Sequence, residues 1–585
     1  MESDVHTEIR APGSSRRILL GASSLFLSCL LASGVAGAGA AAQSGTSRYI
    51  VQGPDAQVVA ERIRALGGRV SSELPLINGV GAELTMAQAR ALGKDGALRL
   101  QADHPIQVAT TMTSGQVFSN SLGRFDTYYP GLVGAHVLHA QGITGAGVTI
   151  AVLDTGLSAS SLHDLDARVL ASVDFVGTAK GRVVAKGPKA DSSGHGTHIA
   201  SVAASGIVAT DTLKSHGVAP GTKLVIVRAF DAAGQGSYLD VVEGLQWIVA
   251  NKAKHNIRVL NLSFSSPPQS SYWDDPINQA VMKAWQAGIV VVASAGNSGP
   301  DAMSIGVPGN VPYVITTGAM TDNYTPGKAS DDRLASFSAA GPTHEGFVKP
   351  EVVAPGGHMA AVVPNISTLV TAFGSKMPRH GGLLVMSGTS QAAAVTSGVV
   401  ALMLQADPTL TPDLVKCRLM ASARAAVTPD EKLAYSVFQQ GAGRIDAGRA
   451  VKSTRKNCAN VGLDIKADLA GTKHFGGPAN QDANGNFYVM DMAGKTWGKP
   501  VKSDGYTWSQ GYSSSQGYTW SQGYTWSQGY TWSQGYTWSQ SKSRAQGYTW
   551  SQGYTWSQSL IWKDGPLVNS KLTDIMSING WVPQE

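Results

Sequence analysis

The chain has 585 residues, with 46 Lys and Arg against 40 Asp and Glu for a formal net charge of +6, and only three cysteines. At roughly 150 residues per domain, that length predicts three or four units. No Lys/Arg cluster alternates with aromatics ahead of the C-terminal repeats, so the composition argues against a nucleic-acid partner.

Residues 18–42 carry no charge, follow Arg16-Arg17 and end in Ala36-Gly-Ala-Gly-Ala-Ala-Ala42, just before Gln43. This is the layout of an export signal, 1–42, cleaved near Ala42. The run is also long enough for a retained membrane anchor, and Ser15-Arg-Arg-Ile-Leu suits twin-arginine export. Cys29 would leave with the signal. Export places Cys417 and Cys458 in an oxidising compartment, where they either pair or persist as two buried thiols.

Segment 43–115 reads as a small α+β unit. It has a strand at Arg48-Tyr-Ile-Val-Gln, a helix from Ala56, an extended Leu76-Ile-Asn-Gly-Val-Gly-Ala-Glu-Leu and a second helix candidate at Met86-Ala-Gln-Ala-Arg-Ala-Leu. From 116 to 455 strand-like and helix-like runs alternate, as in Leu224-Val-Ile-Val-Arg-Ala-Phe, Val241-Val-Glu-Gly-Leu-Gln-Trp-Ile and Arg258-Val-Leu-Asn-Leu-Ser. Alternation of this kind predicts an α/β fold with a doubly wound, mostly parallel sheet.

Within that segment, Asp154-Thr-Gly ends the β-branched run Gly147-Val-Thr-Ile-Ala-Val-Leu, which puts a carboxylate at the carboxyl edge of a strand. An aspartic-peptidase reading needs a second such triplet for its carboxylate pair, and none occurs. His195 stands between glycines at the head of a small-residue run. It and His198 could share a helix face as metal ligands, but the glutamate base of a zinc peptidase is missing. His195 is therefore read as a general base and His198 as structural. Ser390 opens the apolar helix candidate that begins Gln391-Ala-Ala-Ala-Val, where it is either a plain N-cap or a nucleophile favoured by the helix dipole. Asn297 follows another strand-like run, Gly288-Ile-Val-Val-Val-Ala-Ser-Ala, and its amide is suited to an oxyanion as well as to a turn. A serine hydroxyl needs an imidazole to take its proton and a carboxylate to hold that imidazole's tautomer. Asp154, His195 and Ser390 supply these groups in one of the three chain orders in which such a triad is known.

These motifs, Val-Leu-Asp154-Thr-Gly, Gly-His195-Gly-Thr-His, Ala293-Ser-Ala-Gly-Asn297 and Gly-Thr-Ser390, resemble those of the subtilisin family of serine peptidases. Gly441-Ala-Gly-Arg-Ile-Asp resembles the family's closing segment, and 43–115 resembles its inhibitor-type propeptides. The resemblance implies a subtilisin-like peptidase domain at 116–455. It also implies a propeptide that assists folding and blocks the site until cut, peptide or protein substrates, and chemistry that requires no cofactor. A structural calcium ion is left open.

Two departures stand out: Gln391 and Ala394 replace the Met and Pro that usually follow the nucleophile. Leu262-Ser-Phe-Ser-Ser266 stands where the family carries a glycine-rich substrate segment, so Ser263 and Ser265 are substrate-binding candidates and serines at 265 and 266 would narrow the pocket. Gly234-Gln-Gly236-Ser-Tyr238 resembles the facing segment, to which a substrate would add as a strand.

Segment 456–504 reads as a linker or small β segment. From 505 to 558 the hexapeptide Gly-Tyr-Thr-Trp-Ser-Gln recurs, and 559–585 is a short tail. An even period puts Tyr, Trp and Gln on one face if the repeats are extended. That aromatic ladder could stack on sugars or a cell envelope, or the segment is low-complexity sequence without structure. The leading expectation is an exported, self-processed serine endopeptidase, secreted or at the cell surface. The alternative is an adhesion protein whose peptidase domain only matures the precursor or is inactive.

Overall fold

A computed structural model describes residues 45–489 except 109–126, 159–163, 178–180, 185–190, 210–213, 324, 326–327, 374–378, 381–382, 428–432 and 482–486, together with short strands between Tyr524 and Ser557. The expected export signal and the 559–585 tail lie outside these residues.

Strands β1 (Thr46–Gln52), β2 (Arg69–Leu74), β3 (Gly79–Thr85) and β4 (Arg99–Ala102) form an antiparallel sheet in the order β2-β3-β1-β4. Two helices, Ala56–Ala65 and Met86–Leu92, cover it. Each helix starts where its sequence says it should. Asp55 accepts hydrogen bonds from Gln57 N and Val58 N, and Thr85 with Gln88 makes a reciprocal capping box. Strand alternation decides which way each residue faces. Val51, Val59, Ile63, Val80 and Leu84 close a small core of their own, whereas Ile50, Leu74 and Ile77 join the large core. That second face sits on the helices Tyr238–Ala250 and Pro276–Gln286, where Gln246 accepts from Leu76 N (3.1 Å) and donates to the Glu73 carbonyl (3.0 Å).

Beyond β4 the chain extends as β5 (Pro105–Val108). The large sheet is then built from β6 (Thr149–Asp154), β7 (Val169–Asp174), β8 (Arg182–Val184), β9 (Lys223–Arg228), β11 (Ile257–Leu262), β13 (Val290–Ser294), β14 (Ile315–Thr321), β15 (Arg333–Leu334) and β16 (Val352–Pro355). Two short strands, β10 (Gln235–Ser237) and β12 (Phe264–Ser265), lie outside it. Its order is β15-β14-β13-β11-β6-β9-β7-β8 with β16 on β14, parallel except at the pairs β7/β8 and β14/β15. Such strands are covered on both faces, which is why β6 and β13 are buried end to end and read as unbroken apolar runs. The strand order reverses beside β6, because its two neighbours are β9 and β11. Open parallel sheets form their clefts at the carboxyl ends of strands at such a switch point.

The 18-residue helix Thr389–Ala406, buried from Thr389 to Leu404, packs across β11, β13 and β14 and against the helix His195–Ala204. After it, Cys417 and Cys458 are joined in a disulfide. The described part of 456–504 is a packed strap. Phe475 and Phe487 enter the large core, and the buried Asp468 carboxylate accepts from Tyr272 OH (2.6 Å), Tyr313 OH (2.9 Å) and His474 Nδ1 (2.7 Å).

Candidate active site

Asp154 ends β6 at the switch point. Its Oδ1 accepts from Thr155 N (2.7 Å) and from His195 Nδ1 (2.6 Å), and both side chains are 1% exposed. That bond holds the ring with Nδ1 toward the carboxylate and Nε2 on the opposite side. His195 begins its helix after Gly194, whose φ of 97° is left-handed. A β-carbon at Gly196 would lie 2.3 Å from the Gly156 carbonyl oxygen, so only glycine lets the helix start pack on the Asp-Thr-Gly turn.

Behind this pair stands Asp191, which sequence reasoning did not single out. It accepts from Thr155 Oγ1 (2.9 Å), Gly194 N (2.8 Å), Thr197 N (2.8 Å) and Thr197 Oγ1 (2.7 Å), while Thr155 Oγ1 accepts from Gly196 N (2.8 Å). One buried carboxylate thus ties the Asp154 turn to the first turn of the His195 helix. Its only sequence signal was an acidic residue just ahead of a helix start, which any helix could carry.

Ser390 lies in the first turn of its helix and is fully buried. Its Oγ donates to the Ser263 carbonyl (3.0 Å), and Ser263 Oγ donates back to the Ser390 carbonyl (3.1 Å). Ser263 is held in turn by Asn261 Nδ2 (2.8 Å), and Asn261 Oδ1 accepts from Ser397 Oγ (2.9 Å). The serine hydroxyl is therefore turned toward Ser263, and among the described residues His195 Nε2 is buried without a hydrogen-bond partner. Catalytic hydrogen bonds in a resting site are often unformed until substrate binds.

Asn297 Oδ1 accepts from Thr389 N (3.0 Å) and Thr389 Oγ1 (2.8 Å). Those two bonds fix the flip of the amide. Its Nδ2 is left buried with no partner among the described residues, beside the residue that precedes Ser390. An orphaned buried amide donor is costly unless something else accepts from it.

His198 is not oriented for a metal. Its Nε2 lies 3.0 Å from the Met359 carbonyl and 3.2 Å from that of Leu384, and its Nδ1 is 3.4 Å from Gln391 Nε2. Burial, with the neighbouring His195, pushes its pKa down to about 3, so the ring is neutral. Gln391, the departure behind the nucleophile, thus braces one site helix against the other. Among the described residues no group of three or more His, Cys, Asp or Glu side chains is arranged to hold a metal ion.

The substrate-segment candidates line a groove that the chain itself fills. β5 runs between β10 and β12, antiparallel to both, with Gly236 opposite Ile106, Ser265 opposite Gln107 and Phe264 opposite Val108. A β-carbon at Gly236 would meet the Ala229 carbonyl oxygen at 2.4 Å. Just before β5, the His104 carbonyl accepts from Tyr238 N (3.0 Å), and Asp103 accepts from Leu239 N (2.9 Å) while pairing with Arg48 (2.8 Å). Burial outweighs those partners and raises the Asp103 pKa above the ordinary carboxylate value.

A carboxylate, an imidazole and a hydroxyl at the carboxyl edge of a parallel sheet, with a strand-shaped groove beside them, form the arrangement of the subtilisin-like class. The subtilase family model matches residues 145–443, just over half of the chain, and the chain belongs to that family. It is 38% identical over 287 residues to serine protease AprX of Bacillus subtilis strain 168, covering 48% of this chain and 62% of that protein, short of two thirds of its length. It is 30% identical over 360 residues to subtilisin E of the same strain, covering 61% of this chain and 78% of the relative. Fervidolysin from Fervidobacterium pennivorans, a keratinolytic enzyme related to subtilisin, shares the fold with a TM-score of 0.55. The two are 22% identical, over 76% of this chain and 65% of that one.

Proposed function

We propose that this chain is an exported serine endopeptidase, made as a precursor that cuts itself. In the proposed reaction Ser390 Oγ attacks the peptide carbonyl carbon as His195 Nε2 takes its proton, and Asp154 holds the imidazolium through Nδ1–H. Asn297 Nδ2 donates to the oxyanion. Collapse breaks the C–N bond, the amine leaves with the proton from His195, and water repeats the sequence on the acyl-enzyme to release the acid and restore Ser390. The scheme uses no cofactor.

The observation that carries this reading is β5. A segment N-terminal to the peptidase domain occupies the groove as its middle strand, with Val108 opposite Phe264, the neighbour of Ser263, which is bonded to Ser390. A substrate strand that kept this register would set its acyl-side residue opposite Ser263. The residue after Val108 in the sequence is Ala109, so the proposed cut follows Ala109, within the stretch that leads up to the expected boundary at 115. Residues 46–108 then act as the inhibitor, held by Arg48, Asp103 and Gln246 as well as by the strand.

Export rests on the uncharged run at 18–42. No helix among the described residues is long and apolar enough to cross a membrane. For the repeats, the described strands pair antiparallel with Tyr530 opposite Trp538 and Tyr548 opposite Trp556. This register supports a tail of short aromatic hairpins that adheres to a polysaccharide or the cell envelope. The endopeptidase reading is tested by casein hydrolysis with and without a serine-directed phosphonate. Inhibitable hydrolysis, with the label on Ser390, is expected; casein left intact and no label would favour the adhesion reading.

A further inference from the structure

The groove carries a restriction on what is cut. In an antiparallel ladder directly opposite residues share a face, and diagonal neighbours on that face remain within reach of one another. Gln107 and Ser265 are opposite, so a substrate strand that keeps this register would present the residue two positions further along on the Ser265 face. Val108 and Phe264 share the other face, with Phe264 fully buried. The acyl-side residue of a substrate therefore extends past Ser265.

What lies there is tight. A β-carbon built at Gly306 would be 2.0 Å from Ser265 Oγ, and one at Gly296 would be 2.8 Å from it. The hydroxyl is wedged between two glycines on the wall that runs into Asn297, and Gly296 also needs its φ of 108°. Both glycines leave room for bulk, and Ser265 has taken that room.

Resting on the peptidase reading above, we infer that Ser265 is a specificity-determining residue that limits the acyl-side residue of the substrate to small side chains such as Ala, Gly or Ser. Overfilling a close-packed site forces neighbours to shift, and here the neighbours include the backbone that orients the oxyanion amide. The chain's own segment agrees, because the residue after Val108 is Ala109.

The test uses the secreted, self-processed enzyme and tetrapeptide anilides that differ only in the residue before the scissile bond: Ala, Leu or Phe. The wild type should favour Ala over Phe by at least about 10-fold in kcat/KM, since one misfitting methylene is worth ~10–200-fold. Ser265→Gly should raise the Phe-to-Ala ratio of kcat/KM by about 10-fold. Ser265→Ala, which loses only the hydroxyl, should move the same ratio in the same direction by less and guards against misfolding of the glycine variant. A wild type that cuts Phe as well as Ala, or variants whose Phe-to-Ala ratio stays within about 2-fold of it, would overturn the specificity proposal while hydrolysis itself upholds the peptidase reading. Absence of hydrolysis of all three substrates, with no phosphonate labelling of Ser390, would overturn both.

Discussion

The scaffold behind the site and the face it turns to the groove differ in how their polar groups are partnered. Behind, Asp191 accepts four hydrogen bonds, and Asn261, Ser263 and Ser397 form a chain in which each partner is met. In front, among the described residues, His195 Nε2 and Asn297 Nδ2 are buried with none. An unmet buried donor or acceptor costs ~1–3 kcal/mol until something completes it. In the proposed reaction the substrate does so for both.

Substitution of each kind should break that contrast differently. Asn297→Ala removes a group that has no partner at rest on its Nδ2. It should therefore lower kcat by ~10²–10³, the value for the corresponding donor in subtilisin itself, while KM changes by less than about 3-fold. Steady-state kinetics on an Ala-type anilide would check this, and an unchanged kcat would remove Asn297 from the oxyanion site. Asp191→Ala touches only the scaffold. The loosened His195 should cost about 10–10² in kcat with KM nearly constant, because small misplacements of a catalytic group are that costly. Four donors would also lose their acceptor, so stability to denaturant should fall by about 2 kcal/mol or more. Asp191→Asn keeps one acceptor oxygen and should recover part of both losses. A variant that is destabilised yet fully active per folded molecule would make Asp191 purely structural.

The groups of the proposed reaction could be picked out in sequence because each sits in a short motif at a strand or helix end: Asp154 at the end of β6, Asn297 after β13, Ser390 at the head of an 18-residue helix. The mostly parallel sheet was legible for a similar reason, since strands buried on both faces are locally apolar throughout. The supporting residues were not. Asp191 looks like any acidic residue before a helix, and its role appears only when the Asp154 turn is folded against it. The strap beyond Cys458 was hidden because its anchors are isolated. Phe475 and Phe487 stand in polar, glycine-rich sequence, and Asp468 meets Tyr272 and Tyr313, which lie 196 and 155 residues away. The Cys417–Cys458 pairing could be read only as one of two options, because spacing does not report distance. The docking of β5 depends on partners more than 100 residues downstream, and strand pairing at that range leaves no local pattern.

The central claim is that Ser390 cuts the strand that its own chain lays in the groove. Intact mass and N-terminal sequence of the secreted product, compared between the wild type and Ser390→Ala, test it most directly. The expected result is a wild-type product beginning at Thr110 and a variant that folds, is exported and retains residues 46–108 in full. A Ser390→Ala chain that still acquires the wild-type N-terminus, in isolation and at the wild-type rate, would contradict it.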